Sequence, residues 1–182
     1  MRRILVAGGA GFIGRETLPF LLEHGYEVYI ATRSGLPNES PASGTVNYHR
    51  CDLLRDSCEE LVARIQPTHL LHFAWYAEHG AFSWALENLD WVAASLRLAW
   101  AFPAGGGRAV FAGSCAEYDW SFDTLNETLT PLNPATLYGL SKATLYRLLS
   151  SAAERPGIWS NFLPLWSPRS AEPAFCARSS IK

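Results

Sequence analysis

The sequence predicts an α/β fold: a doubly wound parallel sheet with helices on both faces. Two observations support this prediction. Short apolar runs alternate along the chain with longer segments of helical spacing, and a glycine cluster stands between the first apolar run and the first helical segment. Strands that alternate with helices build parallel sheets whose two faces are both covered. The chain has 182 residues, of which 48% are hydrophobic and 18% charged, so it is long enough for one domain with a core.

Each predicted element rests on a periodicity. The apolar run Arg3–Ala7 is typical of a buried parallel strand, and residues 25–33 alternate at Val28 and Ile30 as a second strand does. Residues 12–23 carry apolar side chains at helical spacing between these two strands. The remaining predicted strands are 45–53, 67–75 and 107–114, and the remaining predicted helices are 57–66, 82–102 and 133–154.

Composition excludes several classes of partner. The net charge is -2 and no basic stripe is present, so we expect no nucleic-acid partner. No stretch approaches the roughly 18 apolar residues of a membrane span, and the apolar run at the start is shorter than a signal peptide needs. The four cysteines form no C-x-x-C pair and are typical of scattered reduced thiols. We therefore expect a cytoplasmic protein with no membrane contact.

The glycines between the first strand and the first helix fit two overlapping spacings. These are Gly9-x-Gly11-x-x-Gly14, the dinucleotide fingerprint, and its variant Gly8-x-x-Gly11-x-x-Gly14. Such glycines allow a tight turn, close approach of a diphosphate and close packing of helix on strand, and the helix N-terminus offers free N–H groups. A glycine turn without a ligand is the alternative, whereas an ATP-type phosphate loop is excluded because Arg15 follows Gly14 where that loop needs lysine. The candidate cofactor contacts here are Gly8, Gly11, Phe12, Ile13 and Gly14.

The end of the second predicted strand bears on the choice of cofactor. An NAD site usually has Asp or Glu there, to bind the ribose 2′-hydroxyl. Here the residues are Ala31-Thr32-Arg33-Ser34, and Arg33 could pair with a 2′-phosphate. The sequence therefore favours NADP, with NAD as the alternative. The other interpretation of Arg33 is a solvated loop residue that does not bind the cofactor. Asp52, after the third strand, fits either an adenine contact or a turn.

Three polar residues form the candidate catalytic set. Tyr138 and Lys142 are four residues apart, which places both on one face of a helix. A nearby ammonium favours the phenolate, so the pair could act as a general acid and base near neutral pH. Ser114 ends the fifth predicted strand, and the carboxyl ends of parallel strands line the ligand crevice of such sheets. The alternatives are a surface lysine beside a core tyrosine, and a serine that caps a turn.

The glycine run, "GSCAEY" and Tyr138-x-x-x-Lys142, taken in this order, resemble the extended short-chain dehydrogenase/reductase family. The resemblance covers roughly residues 1–155 and implies a Rossmann-type fold that acts on nucleotide sugars with NAD(P). It implies that Tyr138 is the acid/base, that Lys142 binds the nicotinamide ribose and lowers the tyrosine pKa, and that Ser114 orients the substrate. Besides the glycines, it implies cofactor contacts at Asp52, Leu53, Phe73, Ala74, Trp75 and Asn88.

Two departures from the family narrow this expectation. Family dehydratases carry Asp-Glu where this chain has Cys115-Ala116, which argues against 4,6-dehydration. A 4-keto reductase remains as the main interpretation, with a 4-epimerase as the alternative. Family members also continue well past the Tyr/Lys helix, so we expect a dinucleotide-binding domain over 1–165, an irregular tail over 166–182 and a substrate lobe that is largely missing. A non-catalytic dinucleotide-binding remnant is thus a third possibility.

Histidines and tryptophans have more ordinary interpretations. His69, His72 and His79 cluster around the fourth strand, but no cysteine or carboxylate spacing supports a metal site. Trp84 and Trp91 are seven residues apart, which favours core packing of one helical face. The resemblance implies an alternative, a homodimer formed through helices 82–102 and 135–155.

Overall fold

The computed structural model describes residues 2–34, 46–102 and 107–153, and in them it contains one five-stranded parallel sheet. The strand order is β3-β2-β1-β4-β5. The strands are β1 Arg3–Ala7, β2 Glu27–Thr32, β3 Val46–Arg50, β4 His69–His72 and β5 Arg108–Phe111; the helices are α1 Phe12–Glu23, α2 Cys58–Ile65, α3 Glu87–Ala101 and α4 Leu137–Ala153. After β3, at one edge of the sheet, the chain returns to place β4 on the other side of β1. The strand order therefore reverses between β1 and β4, and the crevice at their carboxyl ends is the expected ligand site.

Helices cover both faces of the sheet, as predicted. Alternate residues of a strand point to opposite faces. On one face Ile4 and Val6 of β1 pack in a cluster with Leu18 of α1. On the other face Leu5 and Ala7 belong to a larger core that contains residues of α2, α3 and α4. The doubly wound α/β fold is therefore confirmed.

Two helices begin later than the sequence predicts. The helix predicted from residue 82 begins at Glu87, because the residues before it form turns, with Gly80 at φ 82°. The helix predicted from residue 133 begins at Leu137, since the Thr136 hydroxyl accepts the Gly139 N–H and so caps the first turn. The predicted domain boundary at 165 and the predicted tail over 166–182 lie outside the described residues. No helix in the described ranges combines the length and the apolarity that a membrane crossing requires.

Candidate functional site

A cavity of about 780 Å³ lies at the carboxyl ends of β1, β2 and β4. Most of the residues that the sequence pointed to as cofactor contacts line it: Gly8, Gly11, Phe12, Ile13, Gly14, Arg33, Leu53, Phe73, Ala74 and Trp75. The other lining residues are Ala10, Ala31, Thr32, Ser34, Cys51, Ala77 and Trp91. The cavity therefore occupies the place at which a sheet of this topology binds its ligand.

The segment from Gly8 to Gly14 between β1 and α1, here called the glycine corner, has glycines that lack a side chain for two different reasons. A Cβ on Gly8, at φ 85°, would lie 2.6 Å from the Ala74 backbone nitrogen, and a Cβ on Gly14 would overlap the Gly8 carbonyl oxygen. Both glycines are therefore required by the chain's own backbone. Gly11, which lines the cavity, is less crowded, because a Cβ added there would have only the Gly8 carbonyl oxygen within 4 Å, at a tight 3.2 Å. At Gly11 the missing side chain leaves room for a ligand.

The first turn of α1 is suited to an anion. Its N-cap is Gly11, no side chain caps it, and it contains no acidic residue. The first N–H groups of a helix have no partner within the helix, and the helix dipole places partial positive charge there. Phe12 and Ile13, whose backbone N–H groups belong to this turn, line the cavity. This corner therefore fits the diphosphate of a dinucleotide.

At the end of β2 the cavity wall holds a cation and no carboxylate. Arg33 lines the wall beside Thr32 and Ser34, and none of the lining residues is acidic. Asp52 is not among the lining residues, although Cys51 and Leu53 on either side of it are. Its carboxylate accepts the Leu54 N–H at 3.1 Å, which is the turn-forming alternative that the sequence left open.

Lys142 is held in a buried position on α4. Its Nζ donates to the Ala112 carbonyl oxygen at 2.9 Å, and the same nitrogen lies 6.0 Å from the centre of the Tyr138 ring. The spacing of four residues therefore does place the two side chains on one face of α4. Burial lowers the pKa of Lys142 to about 7, and the nearby Glu117 carboxylate partly opposes this shift.

Ser114 caps a short 3₁₀ turn, Cys115–Glu117, that follows β5. Its hydroxyl accepts the Ala116 N–H at 3.2 Å, and its own N–H donates to Glu117 Oε1 at 2.6 Å. The turn-capping alternative for Ser114 is thus present in the structure. Glu117 is buried, and burial raises the pKa of its carboxyl group, whereas the Ser114 N–H and Lys142 lower it. Sequence reasoning missed Glu117, although the S-x-x-E spacing of a capping box was available as a signal.

The structure does not bring every predicted residue into the cavity wall. Asn88 is completely buried and does not line the cavity, and it accepts the indole N–H of the lining residue Trp75 at 2.8 Å. Tyr138, Lys142 and Ser114 are also absent from the lining residues. Trp75 is a lining residue that contacts this group, since its ring meets the Tyr138 ring edge-on at 6.4 Å between centres.

The histidines near β4 have structural partners. His72 is buried, and its Nε2 lies 2.7 Å from the Ser95 hydroxyl. Burial, with Lys142 nearby, lowers the pKa of His72 to about 3, so its ring is neutral at physiological pH. His69 shares a hydrogen bond with the neighbouring Thr68 hydroxyl at 2.9 Å. In the described ranges no three His, Cys, Asp or Glu side chains converge as metal ligands.

Several known proteins are similar to this chain. UDP-glucose 4-epimerase from Neisseria meningitidis serogroup C is 29% identical over 175 residues, which cover 90% of this chain and 52% of that protein. CDP-abequose synthase from Yersinia pseudotuberculosis is 24% identical over 168 residues, which cover 88% of this chain and 54% of that protein. The crystal structure of UDP-glucose 4-epimerase from Thermus thermophilus in complex with NAD superimposes with a TM-score of 0.64 at 28% identity and covers 89% of this chain and 54% of that one.

The chain spans about half the length of the curated relatives it matches. A family model, the NAD dependent epimerase/dehydratase family, matches residues 4–170. This match extends over the glycine corner, the cavity and the Tyr138–Lys142 helix. The chain therefore belongs to the NAD dependent epimerase/dehydratase family, in agreement with the resemblance that its motifs carry.

Proposed function

We propose that the cavity binds a nicotinamide dinucleotide, with the diphosphate at the first turn of α1. The observation that carries this proposal is the glycine corner, where an uncapped helix N-terminus without acidic residues opens on a 780 Å³ cavity. Phe12 and Ile13 would donate backbone N–H groups to the phosphates, and Gly11 leaves room for them. Trp75 lines the same cavity and contacts the Tyr138 ring, so it would adjoin the nicotinamide.

Of the two nicotinamide cofactors we favour NADP. Arg33 supplies a cation at the end of β2, where an NAD site usually supplies a carboxylate. An arginine can bind a 2′-phosphate through two parallel hydrogen bonds. NAD remains the alternative, since the similar Thermus thermophilus enzyme has been crystallised with NAD.

For the reaction we propose hydride transfer at C4 of a nucleotide sugar, of the 4-keto reductase type. A bound nicotinamide supplies the hydride to C4. Tyr138 gives its phenolic proton to the sugar oxygen, and Ser114 orients that oxygen with a hydrogen bond. Lys142 holds positive charge beside the phenolate that Tyr138 leaves behind. Proton and hydride together convert the keto group to an alcohol.

Two other functions are kept as alternatives. The similarity to proteins named UDP-glucose 4-epimerase favours a 4-epimerase, in which the hydride returns to the same carbon. A dinucleotide-binding module without catalysis is the second alternative, and it is favoured by Ser114, Tyr138 and Lys142 lying outside the lining of the cavity. The scattered cysteines still favour a cytoplasmic location, which stays a prediction.

Calorimetric titration with NADPH and NADH, followed by an assay with a 4-keto nucleotide sugar, tests the proposal. The 4-keto reductase predicts tighter binding of NADPH and its stoichiometric oxidation. Interconversion of UDP-glucose and its C4 epimer without net oxidation would establish the epimerase, and binding without turnover the non-catalytic module. Failure to bind either dinucleotide would overturn the proposal as a whole.

We further propose that the chain forms a homodimer through α3 and α4. Trp100 of α3 is 83% exposed, and Leu140 and Leu148 of α4 are about half exposed, so both helices carry exposed apolar side chains that a second copy of the chain could cover. Sedimentation equilibrium should report a dimer that Leu140→Glu dissociates. Leu129→Glu is the matched control, because Leu129 is equally apolar, 79% exposed and outside both helices. A monomeric wild-type chain would contradict this arrangement.

A further inference from the structure

Trp75 stands between the cavity and the ammonium group of Lys142. Trp75 lines the cavity, whereas Lys142 is buried and does not. The Lys142 Nζ lies 3.8 Å from the centre of the Trp75 ring. This is well within the distance of about 6 Å over which an ammonium is attracted to the face of an indole. The two residues therefore form a cation–π pair in which Trp75 lines the cavity and Lys142 lies behind it.

The indole is fixed on its other sides. Its N–H donates to Asn88 Oδ1 at 2.8 Å, and its ring stacks on Trp91 with 6.2 Å between centres. Asn88 cannot turn its amide around, because its Nδ2 donates to the carbonyl oxygens of Phe82 and Ala85 at 2.7 and 2.8 Å. A completely buried asparagine with both amide hydrogens used is a rigid anchor. The orientation of the Trp75 ring is thus set by α3 and the turn before it.

The ammonium has few other partners. It carries three N–H groups, of which one goes to the Ala112 carbonyl oxygen. Glu117 approaches from the 3₁₀ turn, His72 from β4 and Tyr138 from α4 itself. Glu117 and Lys142 share the lining of a second, very small cavity of about 10 Å³, but they form no ion pair within 4 Å. Among the described residues, the direct contacts of the ammonium are therefore a carbonyl oxygen and an aromatic face, while the Glu117 carboxylate favours the charge from a longer distance.

We propose that Trp75 is a positioning residue for Lys142: its indole, anchored on Asn88, is the wall against which the ammonium rests, and it fixes the ammonium relative to Tyr138. The contact itself is independent of any ligand, whereas its role in catalysis rests on the proposed function. Asn88 then acts through Trp75, which accounts for a buried asparagine at a position that the motifs implied as a cofactor contact.

The chain offers a direct test, since Lys142 and Lys182 are its two lysines. Incorporation of lysine labelled with ¹³C at Cε gives two NMR signals, which Lys182→Arg assigns. We expect the Lys142 signal to be displaced upfield by the Trp75 ring current. Trp75→Leu should abolish the displacement and lower the titration midpoint of Lys142 by about one pH unit. Leucine is apolar and keeps the ammonium buried, but it offers no aromatic face to stabilise the charge.

Two further variants make the result specific. Trp75→Phe keeps a ring face and should retain part of both effects, and it guards against a leucine variant that does not fold. Trp84→Leu removes an exposed tryptophan from the turn before α3 and should leave the Lys142 signal unchanged. A Lys142 signal that lacks the upfield displacement in the wild-type chain, or that Trp75→Phe and Trp75→Leu leave unaltered, would overturn the proposal. These spectra are recorded without cofactor, so they test the Trp75–Lys142 contact independently of dinucleotide binding. A second titration, with NADPH, tests dinucleotide binding itself.

Discussion

The two ends of the candidate site, the glycine corner and the Trp75–Lys142 pair, are built in different ways. At the glycine corner, backbone meets backbone within the seven residues from Gly8 to Gly14 and at the turn after β4. At the other end, side chains from separate elements meet: Trp75 after β4, Asn88 of α3 and Lys142 of α4. The first end depends on the absence of side chains, whereas the second depends on their burial. A substitution at the first should therefore act on folding and cofactor binding, and one at the second on charge and chemistry.

The largest effect is expected from removing the phenol at the second end. Tyr138→Phe should lower the rate of 4-keto reduction about a thousandfold, since a positioned acid contributes roughly 10²–10⁴ to such a rate. The NADPH dissociation constant should stay within about twofold of the wild-type value, because the corner is untouched. Tyr48→Phe, in β3, is the control. Equal turnover by Tyr138→Phe and the wild-type chain would remove Tyr138 from the proposed chemistry.

At the first end, the expected loss is one of stability. Gly8→Ala should lower the free energy of unfolding by about 3 kcal/mol, from left-handed backbone strain and from overlap with the Ala74 backbone. Gly80→Ala is a matched control: Gly80 has φ 82°, close to the 85° of Gly8, but no atom lies within 4 Å of its added Cβ. Its cost should be about 1 kcal/mol, from strain alone. Urea unfolding measures the free energy of unfolding of both variants. Equal losses would show that overlap with the Ala74 backbone adds nothing to the destabilisation by Gly8→Ala.

The same contrast explains what the sequence could predict. The parallel sheet and the glycine corner depend on periodicity and on residues close together in the chain, so the pattern of β1 and α1 was sufficient for them. The relation of Trp75 to Lys142 depends on two residues that lie far apart in the chain, and no local pattern encodes it. The hydrogen bond from the Trp75 indole to Asn88 is likewise not encoded locally, and the cofactor contact that the resemblance implies at Asn88 stays a prediction.

A third prediction concerns the charge buried at the second end. The pKa of Lys142 is about 7 in the folded chain, against 10.5 when exposed, so above pH 7 the unfolded chain binds more protons. The free energy of unfolding should therefore rise by about 2 kcal/mol from pH 7 to pH 9, and Lys142→Met should abolish this rise. Above pH 9 the buried Cys58 thiol, with a pKa of about 11, acts in the opposite direction. A slope that persists in Lys142→Met would assign it to another group.

The smallest effect is expected at Arg33, which lines the cavity at the end of β2. Arg33→Ala should raise the NADPH dissociation constant about tenfold and leave that of NADH nearly unchanged, since only NADPH carries the 2′-phosphate. Arg64→Ala removes an exposed arginine from α2 and serves as the control. Calorimetry with both cofactors provides the comparison. If both dissociation constants changed equally, Arg33 would have no part in distinguishing the two cofactors.

A crystal structure of the chain with NADPH tests the central claim most directly. The account predicts the diphosphate on the N–H groups of Phe12 and Ile13, the 2′-phosphate beside Arg33 and the nicotinamide against Trp75 on the side of Tyr138. A diphosphate bound away from this corner, or a nicotinamide directed away from Trp75 and Tyr138, would contradict it.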